Sequence, residues 1–433
     1  MAFREFDALS RRSLLRGSAY AAVGSALAGL PFTQLLAAHD VSQAWPNIAK
    51  LVEKFVGGGK VANLLVTLGS GQQDHAHTVG GGKLGFTRTA EANSDALYRI
   101  YSQTKPITGM ATMMLIDDGK LGLDQPLAEI LPAFANPRVL VDPAGSLDNT
   151  VAAERPITIR HLLTHTAGLG YNITSKGPLQ EAINKLGITS GQISKFPIPG
   201  LPVVESAQGL EQWADRLATL PLMYQPGTRW SYSASIDLLG RVIEVASGKS
   251  FDTFLQERLF DPLGMESTFW QVPASEVERL TDNYGVLNGN PQPIDPAAAS
   301  IYLEKPPLIW GGSGLVSSPR DYDRFQRMLL GRGMFDGKRV MGEMAVRIGT
   351  SNIMPKGVAT KGTWIEGQGF GAGGRVTKSS FGWGGAAGTL SSIDYDLNMR
   401  MGLYTQYTPA ESYPIRNEFL AAVAADLAAM KGS

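Results

Sequence analysis

Hydrophobic residues recur at helical spacing in several separate segments of the chain. In WPNIAKLVEKFVG, residues 45–57, apolar side chains fall three and four positions apart, which places them on one face of a helix. Similar spacing, often bounded by glycine or proline, predicts further helices, and Gly168 is expected to end the helix that contains it. These helices cover residues 103–118, 157–169, 236–248, 317–333 and 417–430.

Segments that predict strands lie near both ends of the chain. NLLVTLGS at 63–70 and KLGFTRTA at 83–90 predict a hairpin, connected by the glycine-rich stretch between them. Toward the other end, residues 367–376, 379–394 and 397–407 predict successive strands separated by turns. The strands at both ends therefore enclose a mainly helical middle.

The composition narrows the classes of function. The chain has 433 residues, with 39 Lys and Arg against 39 Asp and Glu, so no overall field favours nucleic acid or an anionic membrane. The balanced charge therefore favours a neutral small molecule as the binding partner. The absence of cysteine excludes disulfides, thiol catalysis and cysteine-ligated metals.

The N-terminal segment has the pattern of an export signal. A twin-arginine sequence at 10–15 precedes a mildly apolar stretch at 19–32 and the small residues Ala37 and Ala38. We therefore expect residues 1–38 to be a twin-arginine signal peptide that directs export to the periplasm or beyond. The alternative is a basic amphipathic helix that stays on the protein. The apolar run is too short for stable membrane insertion.

The short sequence SQTK places Ser102 three residues before Lys105 at the start of a predicted helix. Residues three apart lie on the same face of a helix, so the lysine amine can reach the serine hydroxyl. Pro106 supports a helix start here, because proline is tolerated mainly in the first turn. A serine nucleophile needs such a base and nearby N–H donors. The alternative is a serine cap beside a solvated lysine.

Two further segments give this pair a context. GTRWSYSASIDLLG places Tyr232 just before a long predicted helix, and SSFGWGGAAGTL at 379–390 is a strand whose glycines permit close backbone approach. The order of the three segments resembles the serine β-lactamase and penicillin-binding-protein superfamily, in particular class C β-lactamases and family VIII carboxylesterases. The similarity extends over most of the chain after residue 38.

The resemblance implies an α/β plus α fold of the β-lactamase-like type. An antiparallel sheet flanked by helices, built from both chain ends, would stand against a helical domain. The α/β part would comprise about residues 45–110 and 335–433, and the helical part about 111–334, within one hydrolase spanning 39–433.

The resemblance also implies the roles of particular residues. Ser102 would be the acylated nucleophile, Lys105 its base partner, and Tyr232 the group that shares proton transfer and protonates the leaving group. The backbone N–H groups of Ser102 and Ala386 would form the oxyanion hole. Neither a metal nor an organic cofactor is expected.

The third segment departs from the superfamily pattern in a way that bears on substrate. Trp383, Gly384 and Gly385 stand where a K-T-G type motif is usual, so a cationic anchor for a substrate carboxylate is missing there. Ala234 stands where the second motif usually has asparagine, which removes an amide that would hold an acylamino group. We therefore expect a small carboxylic ester as substrate, bound through these three third-segment residues.

Other functions remain open from the sequence. The same machinery can attack amides, so the chain could be a β-lactamase, a D-aminopeptidase or a small-amide hydrolase. A catalytically silent binding protein would keep the fold. The oligomeric state is not predicted.

Several histidines are candidates for metal binding or for general-base catalysis. Asp74, His75 and His77 could contribute metal ligands, but a glycine-rich connection without a further ligand favours a solvated loop. For His165, in LLTHTAGL, a hydrogen-bonded structural role is favoured over that of a general base. No serine stands in a G-x-S-x-G elbow.

Overall fold

The computed structural model describes residues 44–198 and 203–432. The predicted signal peptide, residues 1–38, lies outside the described residues. No helix within the described ranges is long and apolar enough to cross a bilayer.

The centre of the fold is a seven-stranded antiparallel sheet assembled from both ends of the chain. Its strands are β1 (Asn63–Ser70), β2 (His77–Gly82), β12 (Gly369–Phe370), β13 (Arg375–Val376), β14 (Ser380–Gly384), β15 (Leu390–Asp394) and β16 (Met399–Tyr404). Their order across the sheet is β12-β13-β14-β15-β16-β1-β2, in which β1 pairs with β16 and thereby joins the two ends. The predicted antiparallel sheet built from both chain ends is confirmed.

Smaller sheets and hairpins surround this sheet. They are formed by β3 (Tyr98–Arg99), β4 (Arg138–Leu140), β5 (Thr150–Ala152), β6 (Thr268–Phe269), β7 (Asn283–Leu287), β8 (Asn290–Asp295), β9 (Val316–Ser317), β10 (Met334–Phe335), β11 (Lys338–Arg339) and β17 (Tyr407–Thr408). The β3 strand, which pairs with β9, leads directly into the SQTK segment.

Helices cover the sheet and fill the middle of the chain. They are α1 (Pro46–Val52), α2 (Thr104–Asp117), α3 (Ile159–Leu163), α4 (Gly177–Lys185), α5 (Gly209–Ala218), α6 (Ser235–Ser247), α7 (Phe251–Leu255), α8 (Asp261–Leu263), α9 (Pro319–Leu330), α10 (Glu343–Gly349) and α11 (Ile415–Gly432). One apolar cluster packs α1 and α11 against the sheet, and a larger one joins α2, α6 and α9. The predicted mixture of sheet and helices is thus observed.

The helix α2 lies at the centre of the larger cluster. All residues from Thr104 to Leu115 are buried, so the helix is packed on every side rather than on one face. At Gly109 it approaches the loop between β12 and β13 so closely that a Cβ would lie 2.2 Å from Ala372 O. This packing fixes the start of α2 relative to the sheet.

The prediction of a strand at residues 83–90 was wrong. The partner of β1 is β2, which lies within the glycine-rich stretch predicted as a turn. Gly80 and Gly82 have φ values of 129° and 103°, a region that side chains disfavour. A Cβ at Gly80 would also lie 2.1 Å from Leu64 O. The glycines are therefore required for strand pairing here, although glycine usually indicates a turn.

Two further boundaries differ from the sequence prediction. The helix predicted over 157–169 spans only Ile159–Leu163, because the chain turns at His165, where φ is 54°. The strand predicted over 367–376 is a pair of two-residue strands, β12 and β13, joined by a turn. By contrast, α6 ends at Gly248, φ 73°, as its glycine predicts.

Candidate active site

Ser102 lies in a single helical turn, Tyr101–Gln103, that runs directly into α2. The residue before it, Tyr101, has φ 41°, an uncommon conformation for a residue with a large side chain. This local conformation brings the serine to the mouth of the helix, where the first backbone N–H groups lack helical acceptors. No capping bond from a side chain is found at the start of α2. The Ser102 hydroxyl instead contacts two side chains.

Lys105 contributes the first of these contacts. Its Nζ donates to Ser102 Oγ over 3.3 Å and to Gly312 O over 2.7 Å. The side chain is 0% exposed, and its Nζ lies 4.7 Å from the ring centre of Tyr232. The alternative of a solvated lysine is thus contradicted by the structure. The amine has a fixed position beside the hydroxyl.

Tyr232 provides the second contact. Its hydroxyl donates to Ser102 Oγ over 2.7 Å, although the two residues are 130 positions apart. The loop before α6 carries the phenol, whose ring packs between those of Trp383 and His165 at 5.9 and 4.8 Å. The predicted trio of hydroxyl, amine and phenol is therefore brought together.

The end of β14 lies beside the serine segment. At Gly385 a Cβ would lie only 2.1 Å from Ile100 O, so glycine is needed for this approach. Arg416 donates to the carbonyl of Gly385 and to Thr389 O, which fixes the turn after the strand. Ala386 is exposed, and within the described ranges its N–H has no acceptor.

Trp383, which was predicted to bind substrate, and Trp364 form one wall with Tyr232. Trp383 is buried at the end of β14, and Gly384 beside it is half-buried. Trp364 is 50% exposed, and its ring centre lies 4.8 Å from that of Tyr232.

His165 is buried behind Tyr232. The N–H of Ser233 donates to its Nδ1 over 3.2 Å, so this nitrogen carries no proton. Burial, and secondarily the charge of Lys105, hold the pKa of His165 well below its usual value. These contacts agree with the predicted structural role.

No group of three or more histidine, aspartate or glutamate side chains in the described part of the chain could hold a metal ion. His75 and His77 are therefore not part of such a cluster. Burial lowers the pKa of His77, which favours its neutral form.

Asp237 and Gly312 belong to the site but were not predicted from the sequence. Asp237 Oδ1 accepts from the N–H of Gly312 over 2.8 Å, and Oδ2 accepts from the Tyr171 hydroxyl over 3.2 Å. Aspartate is common in the first turn of exposed helices, so the position of Asp237 in the sequence did not indicate that it would be buried.

The site defines a class of enzyme chemistry. A serine hydroxyl that contacts an amine and a phenol, next to an unoccupied backbone N–H, has the groups needed for acyl transfer through a covalent serine intermediate. A family model named Beta-lactamase matches residues 48–425. The chain therefore belongs to the beta-lactamase family, as the sequence resemblance indicated.

Individual relatives narrow the comparison. The chain is 37% identical over 254 residues to an uncharacterized protein of Mycobacterium tuberculosis, in an alignment covering 59% of each chain. It is 34% identical over 201 residues to esterase EstB of Burkholderia gladioli, covering 46% of this chain and 44% of the esterase. The chain thus spans about half the length of the curated relatives that it matches.

A solved structure shows the same fold. EstCE1, described as a hydrolase with promiscuous acyltransferase activity, superposes with a TM-score of 0.71 at 23% identity. The match covers 89% of this chain and 99% of that one. The predicted β-lactamase-like fold is confirmed.

Proposed function

We propose that the protein is a serine hydrolase that cleaves small carboxylic esters through an acyl-enzyme intermediate. The observation that carries this proposal is the contact of Ser102 Oγ with both Lys105 Nζ and Tyr232 OH, at 3.3 and 2.7 Å. The esterase among the relatives supports the choice of ester substrates.

In the first half of the reaction, Ser102 Oγ attacks the ester carbonyl carbon and its proton passes to Lys105. The resulting oxyanion accepts from the N–H groups of Ser102 and Ala386. Tyr232 donates its proton to the departing alkoxide, which leaves as alcohol, and recovers a proton from Lys105. Water then attacks the acyl carbonyl carbon and gives a proton to Lys105, which passes it to Ser102 Oγ as the carboxylic acid departs.

The surroundings of the nucleophile favour esters over β-lactams and peptides. Trp383 and Trp364 give the wall beside Tyr232 an aromatic surface, where the superfamily motif would have a cation. The close approach that glycine permits at Gly385 is to Ile100 O, so it places the end of β14 beside the Ser102 segment. Ala234 offers no amide to a substrate acylamino group.

The test compares p-nitrophenyl butyrate with a chromogenic cephalosporin, using the wild type and Ser102→Ala. We expect faster turnover of the ester, and loss of this turnover in the variant by about 10³-fold or more. A serine-directed phosphonate should add its mass to the wild type alone. Faster cephalosporin turnover would favour the amide-hydrolase alternative, and no turnover or adduct would favour a silent binding protein.

We also propose that residues 1–38 direct export by the twin-arginine route. The pattern at 10–15 and the small residues at 37 and 38 support this proposal. Expression of the full chain, followed by fractionation, should place the enzyme outside the cytoplasm. Replacing Arg11 and Arg12 by lysine should retain it inside, and equal export of this variant would refute the proposal.

A further inference from the structure

Asp237 is a fully buried carboxylate that the proposed reaction does not use. It lies in the first turn of α6 and is 0% exposed. Both oxygens have donors, the N–H of Gly312 and the hydroxyl of Tyr171. A buried carboxylate is costly unless it is paired, so its position calls for a partner of opposite charge.

The Gly312 peptide links this carboxylate to the proposed base. Its N–H donates to Asp237 Oδ1 over 2.8 Å, and its carbonyl accepts from Lys105 Nζ over 2.7 Å. A peptide that donates to an anion becomes a stronger acceptor at its own carbonyl, because hydrogen bonds in series polarise one another. Asp237 therefore acts on Lys105 through this peptide as well as by its charge.

The loop that carries this peptide has little freedom. A Cβ at Gly312 would lie 2.6 Å from Asp237 Oδ2, and one at Gly311 would lie 2.6 Å from Ile236 O. The Thr108 hydroxyl, from α2, donates to Gly311 O over 2.6 Å. The loop is thus held between α2 and α6, and the Gly312 carbonyl has a fixed direction toward Lys105.

The electrostatics of the cluster agree with this connection. Burial raises the pKa of Asp237 to about 6, while the charge of Lys105 and the donors Gly312 and Tyr171 oppose that rise. The other titratable groups that face Lys105 are Tyr171, Tyr232 and His165, the last kept neutral by burial. Burial raises the pKa of Tyr171 and lowers that of His165, so neither of these two supplies a negative charge at neutral pH.

We infer that Asp237 is a positioning residue which, through the Gly312 peptide, holds Lys105 against Ser102 and stabilises the ammonium that forms when Lys105 takes the serine proton. This inference rests on the proposed function, since it assigns a role in that reaction. Asp237 does not touch the substrate and acts through Lys105.

The test is the pH profile of kcat/KM for p-nitrophenyl butyrate in Asp237→Asn. Asparagine has the same shape and can still accept from Gly312, so the charge is what changes. We expect kcat/KM on the plateau to fall about tenfold, and the acidic limb to move on the order of one pH unit lower, because the ammonium loses its stabilising charge. Asp237→Ser gives the same readout if the amide fails to fold.

Asp426→Asn is the matched control, since Asp426 is also buried but accepts from Asn47 and Ile48 near α1. Its pH profile should equal that of the wild type. An unmoved acidic limb in both Asp237 variants would overturn the inference, whatever the loss of rate. If Ser102→Ala kept full activity, the proposed function would fail instead, so the two failures are distinguishable.

Discussion

The inner cluster of Ser102, Lys105 and Tyr232 differs sharply from the rim formed by Trp364 and Ala386. The inner side chains come from separate elements and are joined by hydrogen bonds of 2.7 and 3.3 Å. Lys105 is inaccessible to solvent, whereas Ala386 is exposed and Trp364 half-exposed. Trp364 contacts Tyr232 through its ring rather than through a hydrogen bond.

In this fold the groups that transfer protons are held rigidly, whereas the surface that would contact the substrate is less constrained. Proton transfer needs donor and acceptor within hydrogen-bonding distance, which requires rigid packed elements such as α2 and α6. Substrate selection needs only a surface of suitable shape, and such a surface can change without disturbing the core. Substitutions in the inner cluster should therefore lower kcat, and substitution of the rim side chain of Trp364 should change mainly KM.

The largest effect is expected for Lys105→Met. Methionine fills the buried space without a charge but cannot accept the Ser102 proton, so kcat/KM for p-nitrophenyl butyrate should fall about 10³-fold. The thermal midpoint should also fall, because the Gly312 carbonyl loses its donor and buried Asp237 loses the neighbouring positive charge. Lys54→Met, at an exposed position, is the control. A loss below tenfold would mean that the amine is not the base.

Tyr232→Phe should have the next largest effect. The ring contacts remain, but the donor to Ser102 Oγ and to the leaving group is lost, so we expect a fall of about 10²-fold in kcat. An alkyl butyrate should suffer more than the p-nitrophenyl ester, because a poor leaving group depends more on protonation. Tyr413→Phe, remote from the site, is the control. Equal losses on both esters would argue against proton donation by the phenol.

Gly385→Ala tests the contact between the sheet and the serine segment. A Cβ at this position would lie 2.1 Å from Ile100 O, so the end of β14 must move away and carry the Ala386 N–H with it. We expect kcat to fall about 10²-fold, the range for loss of one oxyanion donor. Gly81→Ala is the matched control, since nothing lies within 4 Å of its Cβ position. Unchanged kcat would remove Ala386 from the oxyanion hole.

The residues of the inner cluster could be predicted from the sequence, whereas most of the contacts that hold them in place could not. Ser102 and Lys105 are close in the chain, and Pro106 marks the helix start, so local rules suffice to place them on one face. The prediction of Tyr232 depended on the order of the motifs along the chain, because no local pattern relates this residue to a serine 130 positions away. Its contact with Ser102 is set by the packing of α6 against α2.

The remaining features depend on long-range contacts. The β2 strand was missed because its glycines are required by the close approach of β1, which no rule for single segments contains. The shortness of α3 follows from the turn at His165, which is held by the distant Ser233. Asp237 was missed for the same reason, since its burial depends on Gly312 from another part of the chain.

The smallest effect is expected for Trp364→Ala, and it tests the comparison most directly. The indole lies half-exposed beside Tyr232, so its removal should deprive an ester of apolar contact and raise KM about three- to tenfold, with kcat nearly unchanged. The rise should be greater for an aryl ester than for a short alkyl ester, because aromatic rings stack. Met344→Ala, another exposed apolar position, is the control. A fall in kcat with KM unchanged would show that Trp364 holds Tyr232 in place. The rim would then contribute to proton transfer together with the inner cluster.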